Sequence, residues 1–174
     1  MRLFIACEAI GEIHDELVEL QKKLPSARMT FPQHFHLTLK FLGDVSKEKA
    51  DEVKHRLEKI EFFPFELCLQ PLEVFDPNNV RVVWASVNPE EPLNILAQQV
   101  DKVLLDLFPP NDKFKPHLTI ARVKALTNRE EFIKQVQSLD VKGICFTINK
   151  FYLIESKLTP KGPEYTILRA YESE

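Results

Sequence analysis

The tripeptide His-Leu-Thr occurs twice in the chain, as His36-Leu37-Thr38 and as His117-Leu118-Thr119. Each copy lies in an apolar run, residues 35–42 and 116–121, whose composition favours a β-strand. Side chains alternate between faces along a strand, so His and Thr at i and i+2 share one face. Leu37, Leu39, Leu118 and Ile120 then anchor the opposite face in a core. Imidazole suits proton transfer near neutral pH, its unperturbed pKa being about 6.5. One neutral and one protonated ring facing a phosphoester can take a proton from attacking water and give one to the departing oxygen. The neighbouring hydroxyls can donate to the non-bridging phosphoryl oxygens. Such chemistry needs no metal and no cofactor.

A zinc site is the competing reading of these histidines. His34-Phe35-His36 is a His-x-His, and with His117 it offers three nitrogens. Against it, no Asp, Glu or Cys accompanies either motif at ligand spacing, and the second motif has no counterpart of His34. His34 reads as a polar residue at a strand entrance. His14 and His55 fall on expected helices among charged residues and read as solvated. A single His-x-Thr on a strand is ordinarily structural; its repetition at equivalent places argues for function.

The elements that must position the motifs also repeat. Apolar stripes at three- and four-residue steps mark helices at Ile10–Leu24, Ala50–Ile60, about Glu91–Phe108 and Phe132–Leu139, with Ser46 and Asn128 as N-caps. Strand-like segments cover residues 2–8, 35–42, 65–75, 80–87, 117–123, 144–155 and 164–171. Strand, helix, His-Leu-Thr strand, helix, strand thus describes residues 2–75 and again residues 80–155. The expectation is a single domain, 1–174, made of two pseudo-symmetric lobes and closed by a C-terminal strand, 164–171. A pseudo-twofold relation between the lobes brings the two histidines to one groove.

A length of 174 residues with 44% hydrophobic and 28% charged side chains suits a soluble globular domain. No apolar stretch is long enough for a membrane span. The first strand is too short for a signal-peptide core. Cys7, Cys68 and Cys145 are far apart, odd in number and set among apolar neighbours, which predicts buried reduced thiols and a cytoplasmic protein. A net charge of −3 excludes a globally basic nucleic-acid coat but leaves room for a local basic cleft.

These residues resemble the two-histidine phosphoesterase superfamily, and within it the RNA 2′,3′-cyclic phosphodiesterase branch, also called 2′-5′ RNA ligase or LigT-like. The resemblance runs through Arg2-Leu3-Phe4-Ile5-Ala6, the block from His36 to Gly43, Arg81-Val82-Val83-Trp84, the block from Pro116 to Arg122, and the block from Ser156 to Tyr165. It implies a bilobal, duplicated α+β fold in which two antiparallel sheets form a central cleft with helices packed on the outside. It also implies hydrolysis of RNA 2′,3′-cyclic phosphate ends to 2′-phosphomonoesters, with reversible ATP-independent ligation as a companion reaction. His36 then corresponds to the proton donor and His117 to the proton acceptor, with Thr38 and Thr119 as phosphate ligands. The implied partner is RNA or an oligonucleotide with a cyclic phosphate end, with no membrane and no obligatory protein partner, the chain acting as a monomer. The alternatives are a non-catalytic nucleotide- or RNA-binding module, and a phosphodiesterase for another cyclic or 2′-5′ linked nucleotide.

Two further residues are substrate-binding candidates: Lys40 by strand alternation, and Arg122 by the resemblance, whose second motif continues with a small residue and an Arg that Ala121-Arg122 match. Lys40, four residues after His36, shares its face and can meet the substrate backbone. Arg122, five residues after His117, falls on the opposite face and reaches a phosphate only if the strand ends, twists or bulges near Ala121; the other reading is a surface or inter-lobe pairing. By the same parity Phe41 fills core. Phe35, Phe114 and Trp84 offer aromatic faces for base stacking or for the core. Lys113, Lys115 and Lys124 make the second motif's end locally positive, or belong to solvated loops.

Overall fold

A computed structural model describes all 174 residues. The chain runs β1 (Arg2–Glu8), α1 (Glu12–Lys23), β2 (Arg28–Thr30), β3 (His36–Asp44), α2 (Lys47–Leu57), β4 (Phe65–Phe75), β5 (Val82–Asn88), α3 (Glu91–Val103), β6 (Leu118–Ala125), α4 (Arg129–Gln137), β7 (Cys145–Ile148), β8 (Lys150–Thr159) and β9 (Gly162–Glu172). The four expected helices are present. Ser46 accepts a hydrogen bond from the Lys49 N–H and Asn128 from the Glu131 N–H, each satisfying a donor that the first helical turn leaves free. The run expected as one strand at 144–155 divides at Asn149 into β7 and β8, which join different sheets.

Two antiparallel sheets form the α+β fold, one ordered β3-β1-β8-β9 and the other β2-β6-β5-β4-β7. Each sheet draws strands from both halves of the sequence. The first motif strand, β3, lies beside β1; the second, β6, lies beside β5. The helices cross over in the same way: α1 packs on β6 and α3 on β3.

Alternation along β1 shows how one strand serves two layers. Leu3, Ile5 and Cys7 enter the main core, which continues through Leu37, Leu39, Leu118, Ile120 and the apolar stripes of all four helices. Phe4 and Ala6 point the other way and pack with Ile154 and Tyr152 in a small second cluster. No helix is long and apolar enough to cross a membrane.

The cysteine expectation is corrected. Cys68 and Cys145 are joined in a disulfide, because they are direct partners in the β4–β7 ladder although 77 residues apart in sequence. Spacing along the chain carries no trace of that pairing. Cys7 remains a free thiol, and complete burial pushes its pKa upward.

Candidate active site

A cavity of about 800 Å³ is walled by side chains of β1, β3, β6, the β8–β9 hairpin and the segment from Thr30 to His34. His36 and Thr38 line it from one sheet; Thr119 and Arg122 line it from the other. His36 and Thr38 face the same way because their partners on β1, Glu8 and Ala6, are themselves two apart. Thr119 and Arg122 share a face because they pair with Trp84 and Val82, again two apart. Between them β6 carries one extra residue, Ile120, and this bulge turns Arg122 from the core side to the cavity.

The same displacement in β3 overturns two expectations. Leu39 is the extra residue there, so Lys40 pairs with Ile5 and Phe41 with Phe4. Lys40 is thereby turned away from the cavity and buried, its Nζ donating to Asp101 Oδ1 at 2.5 Å and to the Pro109 carbonyl at 2.7 Å. It is not a cavity residue. Phe41, expected in the core, is 75% exposed and lines the cavity.

His117 immediately precedes β6, two residues before Thr119, and is not itself part of the cavity wall. Its ring stands edge-on to Phe75 and Trp84, with centroids at 5.2 and 6.0 Å. Nδ1 lies 2.8 Å from the Lys115 carbonyl, which can only accept, so Nδ1 carries the proton. In the neutral ring Nε2 then holds the free lone pair, which is the form a base needs.

The surroundings of His36 are different. Tyr165 and Phe4 stand edge-on to its ring at 5.1 and 5.4 Å, and His34 is stacked beside it at 6.3 Å. Burial, and then the neighbouring His34, push its pKa down to about 4. Glu8 Oε1 is 3.7 Å from Nε2, outside hydrogen-bond range. His36 is therefore neutral at pH 7 while the cavity holds no anion. Tyr165 itself has its phenol pKa raised by burial, against the opposing charge of Arg122.

Charge is segregated around the cavity. The chain has 26 acidic residues, yet no Asp or Glu is among those lining it. Three cations do line it, Arg2, Arg122 and Lys161, and none of them is in an ion pair. Lys113, Lys115 and Lys124, read from the sequence either as local positive charge or as solvated residues, are exposed and stand outside the wall, and Lys115 pairs with Glu90 at 2.5 Å. Of the two readings of the aromatic residues named from the sequence, the core one holds. Phe35 and Trp84 are buried and Phe114 packs on the core, whereas Phe4, Phe31, Phe41 and Tyr165 line the cavity. Arg2 and Tyr165 stand in the sequence blocks that carry the family resemblance, which was the only signal for them.

The potential metal-ligand atoms that come together are those of Glu66, Cys68 and Cys145, at the β4–β7 edge of the five-stranded sheet, and two of these are the disulfide sulfurs. His34, His36 and His117 form no such group.

A family model described as the 2′-5′ RNA ligase superfamily matches residues 13–159. An RNA 2′,3′-cyclic phosphodiesterase of Archaeoglobus fulgidus is 36% identical, over 99% of this chain and all of that protein. A Thermus thermophilus protein of known crystal structure superposes with a TM-score of 0.82 at 33% identity, covering 99% of this chain and 97% of the other. Escherichia coli LigT in complex with 3′-AMP superposes with a TM-score of 0.79 at 26% identity, covering 99% and 97%.

Proposed function

The chain belongs to the 2′-5′ RNA ligase superfamily, and from that premise we propose that it hydrolyses RNA 2′,3′-cyclic phosphate ends to 2′-phosphomonoesters by two-histidine acid–base catalysis. The observation that carries this reading is the cavity in which His36, Thr38, Thr119 and Arg122 meet with no carboxylate among them. Hydroxyls and a guanidinium hold a phosphodiester, and the carboxylate of Glu8, 3.7 Å from His36 Nε2, is not among the residues that line the cavity.

In the proposed reaction a water oxygen attacks phosphorus while His117, which stands outside the wall two residues before the cavity-lining Thr119, takes its proton at Nε2, the atom that the Nδ1–carbonyl bond leaves unprotonated. The bond from phosphorus to the ribose 3′-oxygen breaks, and His36 gives that oxygen a proton. Solvent then returns a proton to His36 and removes one from His117, so the net change is addition of one water. Thr38 and Thr119 donate to the non-bridging oxygens, and Arg122 offsets the charge that gathers on them. His36 must be protonated before it can act, and the arriving phosphate anion is what raises its pKa from about 4. Replacing water with a ribose hydroxyl at the same site gives 2′-5′ ligation without ATP; the excess of water favours hydrolysis.

The decisive experiment is incubation with RNA ending in a 2′,3′-cyclic phosphate, with the product identified as the 2′- or the 3′-monophosphate. Wild type gives the 2′ product, and His36→Ala and His117→Ala each lose roughly 10²–10⁴-fold in rate. Wild-type turnover by either variant removes that histidine from the reaction. Loss of activity with a chelator, restored by zinc, replaces the scheme with a metal-dependent one.

A further inference from the structure

The cavity continues past the phosphate-handling residues to a second cationic end. Along its floor, β3 presents His36, Thr38, Phe41 and Gly43 in order. Beside them β1 presents Ala6 opposite Thr38, Phe4 opposite Phe41, and finally Arg2. The row that begins at Arg2 crosses to Ser156 on β8 and Tyr165 on β9, both of which also line the cavity. The β8–β9 turn brings Lys161 to the same end. That turn is held from within: Thr159 Oγ1 donates to the Gly162 carbonyl at 2.6 Å and accepts from the Lys161 N–H at 3.3 Å.

Arg2 and Lys161 are exposed, free of ion pairs and set in a wall without carboxylates. Asp44, which faces Arg2 in the β1–β3 register, makes no pair with it and stands outside the wall. Arg2 stands four positions before Ala6 on β1, about 13 Å of strand. The stretch between them is aromatic, with Phe4 and Phe41, which suits a nucleoside rather than an anion.

We propose that Arg2 and Lys161 form a second anion subsite for the internal phosphodiester on the 5′ side of the terminal nucleotide. The chain thereby selects the ends of RNA strands over cyclic mononucleotides. This rests on the phosphodiesterase reading and adds to it a contact that a strand can make and a mononucleotide cannot. Phosphate-directed cations of this kind supply affinity without base preference and make it dependent on salt.

The test compares adenosine 2′,3′-cyclic monophosphate with a short oligoadenylate ending in the same cyclic phosphate. Wild type, Arg2→Ala, Lys161→Ala and the double variant are assayed across a salt series. The expected result is that the ratio of kcat/KM for the oligonucleotide to that for the mononucleotide falls about 10-fold in the double variant. The salt slope of the oligonucleotide reaction also becomes shallower by about 0.7 for each lost contact. Arg2→Lys, which keeps the charge, retains most of the ratio and guards against a folding artefact. An unchanged ratio with an unchanged salt slope overturns the subsite. Wild-type protein inactive on both substrates overturns instead the phosphodiesterase reading beneath it.

Discussion

Leu39 and Ile120 are matched residues of the two motif strands: each is the extra residue of a bulge, and the carbonyl of each is held by a side-chain amide from outside its sheet. Asn111 Nδ2 donates to the Leu39 carbonyl at 2.9 Å, and Gln21 Nε2 donates to the Ile120 carbonyl at 3.0 Å. A bulge leaves a backbone group without its ladder partner, and a buried carbonyl left that way costs about 1–3 kcal/mol. The two amides remove that cost. They also fix which residue comes third after each threonine in the cavity, Phe41 on one strand and Arg122 on the other.

Gln21 is therefore expected to act on the reaction through Arg122. Gln21→Leu orphans the Ile120 carbonyl and also releases the Pro32 carbonyl, which the same Nε2 holds at 2.9 Å. Arg122→Ala alone should lower kcat by roughly 10²–10³-fold, as loss of a group facing transition-state charge does. Gln21→Leu should lower it less, and should cost almost nothing further when Arg122 is already Ala. A double-mutant cycle with kcat as readout checks this. Fully additive effects would show that Gln21 matters to stability alone.

Phe41 offers a cleaner separation of binding from folding. With 75% of its surface exposed, its removal takes little from the core, so Phe41→Ala should leave the unfolding midpoint within about 0.5 kcal/mol of wild type. Stacking of a base on an aromatic side chain is worth about 1–3 kcal/mol, so KM for a nucleotide substrate should rise about 5-fold or more. Phe41→Trp should restore it. An unaltered KM with an altered midpoint would return Phe41 to a structural role.

The reach of sequence reasoning ended at these bulges. His36 and Thr38 precede the extra residue of β3, so simple alternation places them on one face, whereas of His117 and Thr119 only Thr119 lines the cavity. Lys40, Phe41 and Arg122 follow the extra residue of their strand, and for all three alternation gives the wrong side. Nothing local distinguishes Leu39 or Ile120 from an ordinary apolar strand residue; the groups that receive the displaced carbonyls come from 72 and 99 residues away. The disulfide and the division of 144–155 at Asn149 escaped for the same reason, being decided by which strand lies alongside. The helices were legible because their stripes and their caps at Ser46 and Asn128 are local.

Lys40 should behave as a structural residue. Its ammonium ties β3 to Asp101 of α3 and to the Pro109 carbonyl, and Asp101 in turn accepts from the Asn111 N–H at 2.9 Å. Lys40→Met strands a largely buried carboxylate and should lower unfolding stability by on the order of 3 kcal/mol. Lys40→Met with Asp101→Leu should recover part of the loss. Urea unfolding of the three proteins measures both effects. A variant with intact stability and a raised KM for RNA would put Lys40 back among the substrate contacts.

His36 makes both stability and ligand binding depend on pH. Its folded pKa, about 4, lies below the unfolded value near 6.5. Between those values the unfolded chain binds a proton that the folded chain refuses. The stabilising contribution is thus complete above about pH 6.5 and is lost as pH falls towards 4, to an extent of at most about 3 kcal/mol. His36→Asn should flatten that part of the stability curve, which urea unfolding at several pH values will show. Binding reverses the balance: an anion seated at Thr38, Thr119 and Arg122 favours the imidazolium. Phosphate binding at pH 6 should then draw close to one proton onto the wild-type protein and almost none onto His36→Asn. Calorimetry in two buffers of different ionisation enthalpy reads that number directly. Equal proton uptake by both proteins would mean that His36 does not gain its proton from the anion, and the donor role assigned to it would fall.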